Sequence, residues 1–143
     1  MDSSSLAHCK WECQYHIVFI PKYGKKKLYG IVRDDVREII QTLCKYKRVE
    51  IIAGAVCVDH VHLCVSIPPK LSISDFVGYL KGKSSLMAYD KHPEMESKWD
   101  RSFWVCGYYV ATIGNMNETT VKEYIQRQTE DSMNENRKVY RPL

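Results

Sequence analysis

The sequence predicts an α+β, ferredoxin-like domain, in which an antiparallel four-stranded sheet carries two helices on one face and a C-terminal helix follows. The main observation is the element order: segments rich in β-branched and aromatic residues alternate with helical patterns as β-α-β-β-α-β. The two middle strands follow each other directly, as in a hairpin. Since the 143 residues contain no repeat or linker, we expect one domain, residues 1–143.

The first half of the chain supplies three strands and one helix. Residues 11–20, WECQYHIVFI, form a predicted strand that stops at Pro21 and leads into a basic loop. Apolar residues then recur at helical spacing from residue 31 to about 48, which predicts an amphipathic helix. They are Val36, Ile39, Ile40 and Leu43. The segment VEIIAGAVCVDHVHLCVSIPP predicts two strands, broken near Val58 and Asp59.

The second half adds a helix, a strand and a final helix. Ser72 or Ser74 can cap a helix through DFVGYLKGKSSLMAYDKH. Its predicted buried stripe is Phe76, Tyr79, Leu80 and Met87. Residues 102–112, SFWVCGYYVAT, have the composition of a fourth strand. A last helix is predicted at 117–136, after a candidate hinge at 112–116 that contains Gly114 and Asn115.

Composition and charge restrict the class of protein. Apolar residues make up 45% of the chain and charged residues 27%, values typical of a folded protein. The net charge of +4 suits a polyanionic partner but does not by itself identify one. With no membrane-spanning run and no secretory signal, we expect a cytoplasmic location and no membrane partner. The six scattered cysteines are predicted to be reduced, and a zinc site from His8, Cys9, Cys13 and His16 lacks a second supporting cluster.

A histidine pair marks the third predicted strand. His60 and His62 alternate with apolar residues, so both leave the same face of the strand, about 7 Å apart at ~3.4 Å per residue. Two imidazoles at this spacing can reach one metal ion. The same pattern also occurs as two ordinary polar residues on a solvated sheet face. By parity Asp59 points the other way, and we leave it out of the direct metal ligands.

The last predicted helix offers two further candidates. Tyr124 and Gln128 are four residues apart, so they lie on one helical face, which they share with Val121 and Ile125. A tyrosine at such a position is common in the packing stripe of an amphipathic helix. This stripe is narrow, however, and ends in an amide, unlike the wider apolar face of a core helix. A functional role for the helix face that carries Tyr124 and Gln128 is therefore an alternative to a role in packing alone.

Taken together, these segments resemble the single-tyrosine HUH transposases of the smallest bacterial insertion sequences, which mobilise DNA as single strands. HUH stands for His, hydrophobic, His, here His60, Val61 and His62. The resemblance extends over YHIVFIPKY, DHVHLCVSIPPKLSISDFVGYLKGKSS, FWVCGYYVATIGN and VKEYIQRQ. It implies that His60, His62 and Gln128 are metal ligands and that Tyr124 is the nucleophile.

The chemistry of phosphodiesters explains these residue types. A divalent ion polarises the phosphate, and a tyrosine oxygen can then attack in line and keep the 5′ phosphate as an ester while the 3′ hydroxyl leaves. A second 3′ hydroxyl reverses the step and joins new ends without ATP. Mg²⁺ prefers oxygen ligands and Mn²⁺ accepts imidazole more readily, so we expect either ion as the cofactor.

The expected partner is single-stranded DNA with hairpins at the ends of the element. Basic residues supply candidate phosphate contacts in the first loop and on the second helix. They are Lys22, Lys25, Lys26, Lys27, Lys81 and Lys83. Because excision needs a cut at each end and one chain has one such tyrosine, we expect a homodimer. The candidate hinge would let the tyrosine helix pack on its own sheet or on that of its partner.

Two other functions remain open. A domesticated relative would apply the same chemistry to chromosomal repeats or replication origins, and the sequence does not separate it from an active transposase. A non-catalytic RNA-binding or single-stranded DNA-binding module would use the same sheet with exposed aromatic residues. That class carries an aromatic RNP1 signature, which this chain lacks. Loss of metal or of the Tyr124 hydroxyl would leave such a module unaffected.

Overall fold

The computed structural model describes residues 5–6, 9–22, 28–96, 102–112, 119–120 and 122–127. In chain order the elements are β1 (Ser5–Leu6), β2 (Cys9–Lys10), β3 (Gln14–Phe19), α1 (Gly30–Tyr46), β4 (Glu50–Cys57), β5 (His60–Ser66), α2 (Ile73–Lys91), a 3₁₀ turn (Pro93–Met95) and β6 (Tyr109–Thr112). β1 and β2 form a small hairpin, and the main sheet has the order β4-β5-β3-β6 with antiparallel neighbours throughout. This is the order of a split βαβ fold, which confirms the predicted fold class.

The central hairpin follows the predicted break. Val58 and Asp59 form the two-residue turn between β4 and β5, so Cys57 lies opposite His60. A two-residue turn fixes the register of the strands it joins. A bulge between Ile51 and Ala53 shifts the pairing farther along the edge strand. The turn therefore sets which side chains of β5 face each side of the sheet.

One face of the sheet forms the hydrophobic core with both helices. Alternate residues of β3 and β5 point toward the helices, and the predicted stripe of α1 packs against them. These buried residues include Ile17, Phe19, Val61, Leu63 and Val65 of the sheet and Val36, Ile39, Ile40 and Leu43 of α1. In α2, Phe76 and Leu80 are fully buried, and Ser72 caps the helix by accepting a hydrogen bond from the backbone N–H of Asp75 at 3.0 Å.

The opposite face of the sheet is polar and contains both histidines of β5. His62, Val18 and Tyr109 are directly paired across β5, β3 and β6, so their side chains leave this second face in one row. His16 and Cys64 form the next row. In the row of His62, Val18 and Tyr109, the central residue Val18 is fully buried, so the middle of this face is not exposed to solvent.

The fourth strand is shorter than the predicted 102–112. Regular pairing with β3 begins only at Tyr109, because Gly107 adopts φ 95°, outside the range of extended backbone. Upstream of this break the chain still pairs with the end of β3: Lys22 N–H donates to the Phe103 carbonyl and Val105 N–H to the Ile20 carbonyl, both at 2.9 Å. The strand is therefore interrupted rather than absent.

The C-terminal prediction falls partly on described residues. Residues 119–120 and 122–127, which include Tyr124, are helical. Gln128, the rest of the predicted helix, and the hinge residues Gly114 and Asn115 lie outside the described residues, as do three of the loop lysines, Lys25, Lys26 and Lys27. In the described part of the chain, none of the helices combines the length and apolar character needed to cross a membrane.

Candidate active site

The site begins with the polar row across the sheet. Val18 pairs with His62 on one side and with Tyr109 on the other, so these two side chains stand two strands apart on the same face. At about 4.8 Å between neighbouring strands, that separation is roughly 10 Å. The ring of Tyr124 lies against Tyr109 with 5.9 Å between ring centroids. The sheet therefore brings the tyrosine of the C-terminal helical segment and the histidine pair to one face.

The ring of His60 is oriented by its neighbour in sequence. His60 Nδ1 lies 2.8 Å from Oδ1 of Asp59, close enough for a short hydrogen bond in which the ring N–H donates to the carboxylate. This bond uses Nδ1 and leaves Nε2 of His60 as the nitrogen for a metal ion. A carboxylate behind a ligating imidazole is the usual arrangement that fixes its tautomer and orientation.

His62 makes its contact with a third histidine. Nε2 of His62 is 3.1 Å from Nδ1 of His16, and the two ring centroids are 5.3 Å apart. Partial burial is the largest cause that lowers the pKa of His62 below its ordinary value, and the charges of His16 and His60 lower it further. His62 is therefore neutral near pH 7, which is the form that binds metal ions.

Tyr124 lies in a partly buried environment. Burial is the main reason that the pKa of Tyr124 is raised to about 12, and the nearby Cys106 thiol adds to the effect. A phenol in this state keeps its proton at neutral pH. The Tyr109 ring at the start of β6 therefore contacts Tyr124, and Cys106, in the interruption before β6, adds to the rise in its pKa.

The donor set suits a divalent ion with open positions. Across the described residues, no cluster of three or more His, Cys, Asp or Glu side chains is arranged to hold a metal ion. Two imidazoles, His60 and His62, face the same side of β5, and Asp59 supports one of them from behind. The predicted third ligand, the Gln128 amide, is not among those four residue types and follows directly after the described residues 122–127. The two imidazoles are thus a donor set that a divalent ion could use, and the Gln128 ligand stays a prediction.

The predicted DNA-contact lysines differ in their surroundings. Lys83 is exposed on α2, and Lys22 is partly exposed at the end of β3. Lys81 is half-buried, and its ammonium donates to the backbone carbonyls of Val105 at 2.6 Å and Gly107 at 2.7 Å. Lys81 thus has an internal role whether or not it also meets phosphate, and DNA contact by these lysines stays a prediction.

Sequence reasoning missed several residues of the site. His16 was considered only for a zinc site, and its contact with His62 follows from the strand register, which composition does not reveal. Asp59 lies in the turn rather than in β5, so strand parity does not apply to it. Its position directly before His60 was a signal for the hydrogen bond. Tyr109 and Cys106 could have been found only from the placement of the C-terminal helix. The described cysteine side chains, Cys13, Cys44, Cys57, Cys64 and Cys106, are free thiols, as predicted.

Comparison with known sequences gives a consistent family. Residues 9–128 match the family model described as "Transposase IS200 like". The transposase for insertion sequence element IS200 from Salmonella typhimurium is 47% identical over 131 residues, which cover 91% of this chain and 86% of that protein. The ISDra2 transposase TnpA from Deinococcus radiodurans is 30% identical over 119 residues, covering 82% of this chain and 85% of that one.

Solved structures show the same fold. The structure of a candidate transposase from Deinococcus radiodurans superposes with a TM-score of 0.80 at 26% identity, covering 87% of this chain and 96% of the other. A REP-associated tyrosine transposase bound to a REP hairpin gives a TM-score of 0.55 at 13% identity, covering 85% and 68%. At that identity the second likeness concerns the fold alone.

Proposed function

Because this chain belongs to the IS200-like transposase family, its function is DNA transposition, and we propose that it cuts and rejoins single-stranded DNA through a covalent bond to Tyr124. The observation that carries the proposal is the cross-strand row of the second sheet face. There Tyr124 packs on Tyr109, in the same row as His62. A nucleophile and a metal-binding pair on one face can act on a single phosphate.

In the proposed reaction Tyr124 Oη attacks the scissile phosphorus in line with the bond to the 3′ oxygen. The new bond joins Tyr124 to the 5′ phosphate, the bond from phosphorus to the 3′ oxygen breaks, and the phenolic proton is finally carried by the 3′ hydroxyl. Attack by another 3′ hydroxyl reverses these changes and frees Tyr124. Since the phosphotyrosine ester is about as reactive as the bond it replaces, strand joining needs no nucleotide cofactor.

His60 and His62, with Gln128, are the residues that would hold a divalent ion, Mg²⁺ or Mn²⁺. Bound there, the ion would neutralise charge on the phosphate oxygens. Asp59 supports this role by holding His60 with Nε2 free, and His16 contacts His62 on the same face. The neutral form of His62 supports it further, because a protonated imidazole cannot bind a cation.

We propose DNA hairpins at the ends of the element as the substrate. One protein of the same fold has been solved bound to a REP hairpin. A stacked duplex resists local distortion by a few kcal/mol per step, so the scissile phosphate must arrive single-stranded. Excision requires two cuts, so a homodimer with two sites would carry out the reaction, in the cytoplasm.

Matched substrates test the proposal. The wild-type protein is incubated with Mn²⁺ and either a single-stranded DNA that folds into an end hairpin or the same sequence as a linear duplex. We expect a covalent protein–DNA adduct from the hairpin and less than about a tenth as much from the duplex, since the unstacking cost is a few kcal/mol. Equal yields from both would contradict single-strand specificity. Binding without any adduct would favour a non-catalytic nucleic-acid module.

A further inference from the structure

Three polar side chains on one face of α2 hold the interrupted segment before β6. Lys81, Ser84 and Ser85 occupy positions i, i+3 and i+4, which lie on the same side of a helix. Lys81 donates to the Val105 and Gly107 carbonyls at 2.6 and 2.7 Å. Lys81, Ser84 and Ser85 all contact one stretch of chain, residues 103–107, which we call the clamped segment.

The serines bind the start of the clamped segment. Ser85 Oγ accepts a hydrogen bond from the Phe103 backbone N–H, and Ser84 Oγ accepts one from the Trp104 indole N–H, each at 2.8 Å. Ser84 Oγ in turn lies 3.2 Å from the Lys81 carbonyl, to which it donates. Both serines are buried, so these polar groups are satisfied inside the protein.

Lys81 binds the C-terminal end of the clamped segment, where Gly107 interrupts the strand. The positive φ of Gly107 interrupts the pairing with β3 after Val105, so the carbonyls next to this break need other donors. One ammonium group supplies bonds to two of them. Burial lowers the pKa of Lys81, and the Cys106 thiol acts in the opposite direction. An amine placed in this way is half-buried and hydrogen-bonded to the protein rather than a freely solvated charge.

The clamped segment also borders the nucleophile. Cys106 lies between the two carbonyls that Lys81 binds, and its electrostatic effect raises the pKa of both Lys81 and Tyr124. Three residues after Cys106, Tyr109 begins β6 and contacts the Tyr124 ring. The place of the Tyr109 ring against Tyr124 therefore follows from the position in which Lys81 holds the chain.

We propose that Lys81 is a positioning residue for the tyrosine nucleophile, acting through its two hydrogen bonds to the clamped segment rather than through contact with DNA. The inference rests on the proposed role of Tyr124. In-line attack depends strongly on distance, and a displacement of about 1 Å can cost on the order of 10²-fold in rate. Loss of the Lys81 bonds allows such a displacement without removing any group that touches phosphate or metal.

Two readouts separate positioning from DNA contact in full-length Lys81→Met. The first is the rate of adduct formation at saturating hairpin DNA with Mn²⁺, and the second is the Kd for the same DNA without metal. We expect the rate to fall at least tenfold while Kd changes less than twofold, and Lys81→Arg to recover part of the rate because its guanidinium group still presents several N–H donors. Lys45→Met, which removes one exposed charge from α1, controls for net charge.

The outcomes are distinct. A Lys81→Met protein with the wild-type rate at saturating DNA would overturn the proposal, and a weakened Kd with a salt slope reduced by about one would identify Lys81 as a phosphate contact. If Lys81→Met does not fold, Lys81→Gln is judged by the same criteria. Unfolding of both would also overturn the proposal, since Lys81 would then support the whole fold. Absence of adduct with the wild-type protein would count against the proposed function instead.

Discussion

The raised pKa of Tyr124 predicts an unusual pH dependence of cleavage. With a pKa of about 12, roughly one phenol in 10⁴ is ionised at pH 8, compared with about one in 10² at the ordinary value near 10. If the phenolate is the attacking form, the rate should rise about tenfold per pH unit from pH 7 to about pH 10, whereas a phenol with the ordinary pKa near 10 would begin to level off above pH 9. His62 does not obscure this range, because its pKa is lowered below its ordinary value.

Single-turnover adduct formation with saturating hairpin DNA measures the profile. Mg²⁺ is the better ion for this series, because Mn²⁺ oxidises readily in alkaline solution. A logarithmic plot of rate against pH should be linear with a slope near one. A rate that levels off at or below about pH 10 would refute the reasoning that burial of the phenol governs its ionisation during the reaction.

Two variants test the causes of the raised pKa separately. Tyr109→Ala removes the ring that contacts Tyr124 and exposes the phenol, so the pKa should fall toward its ordinary value and the rise in rate should end at lower pH. Cys106→Ser removes only the smaller contribution and should shift the profile in the same direction by less. A larger shift in Cys106→Ser than in Tyr109→Ala would contradict the order of causes.

Three further changes test the site and its support. Asp59→Ala should weaken Mn²⁺ binding about 10–100-fold by calorimetry, because it removes the acceptor that orients His60, and an unchanged affinity would contradict that role. His62→Ala should abolish both Mn²⁺ binding and cleavage, and a variant that still bound the ion normally would show that His62 is not a ligand. Ser84→Ala leaves the buried Trp104 indole N–H without its acceptor, so the free energy of unfolding should fall by about 1–3 kcal/mol and the Tm by several degrees. An unchanged Tm would mean that this hydrogen bond does not contribute to stability.

Much of the fold could be predicted because the local patterns agree with it. The alternation of His60 and His62 with apolar residues fixes the two faces of β5, and the break at Val58 and Asp59 marks the hairpin turn. The helical stripe from Val36 to Leu43 is buried as predicted. In each case one local period determines which side of the element meets the core.

What could not be predicted depends on register and on single backbone angles. Composition indicates one continuous strand over residues 102–112, because aromatic and β-branched residues fill it on both sides of Gly107. The positive φ of that glycine interrupts pairing and creates the carbonyls that Lys81 binds. The contact of His16 with His62 is set by the pairing of β3 with β5, across 46 positions of sequence. Neither the break at Gly107 nor the His16–His62 contact produces a periodic pattern in the sequence.

Locating the covalent bond tests the central claim most directly. The wild-type protein and Tyr124→Phe are incubated with the single-stranded hairpin and Mn²⁺, digested, and analysed by mass spectrometry for a peptide that carries a 5′-phosphorylated nucleotide. The account predicts one modified peptide in the wild type, with the phosphate on Tyr124, and none in Tyr124→Phe, which keeps the ring but lacks the attacking oxygen. An adduct on another residue such as Tyr109, or adduct formation in Tyr124→Phe above about a tenth of the wild-type level, would contradict it.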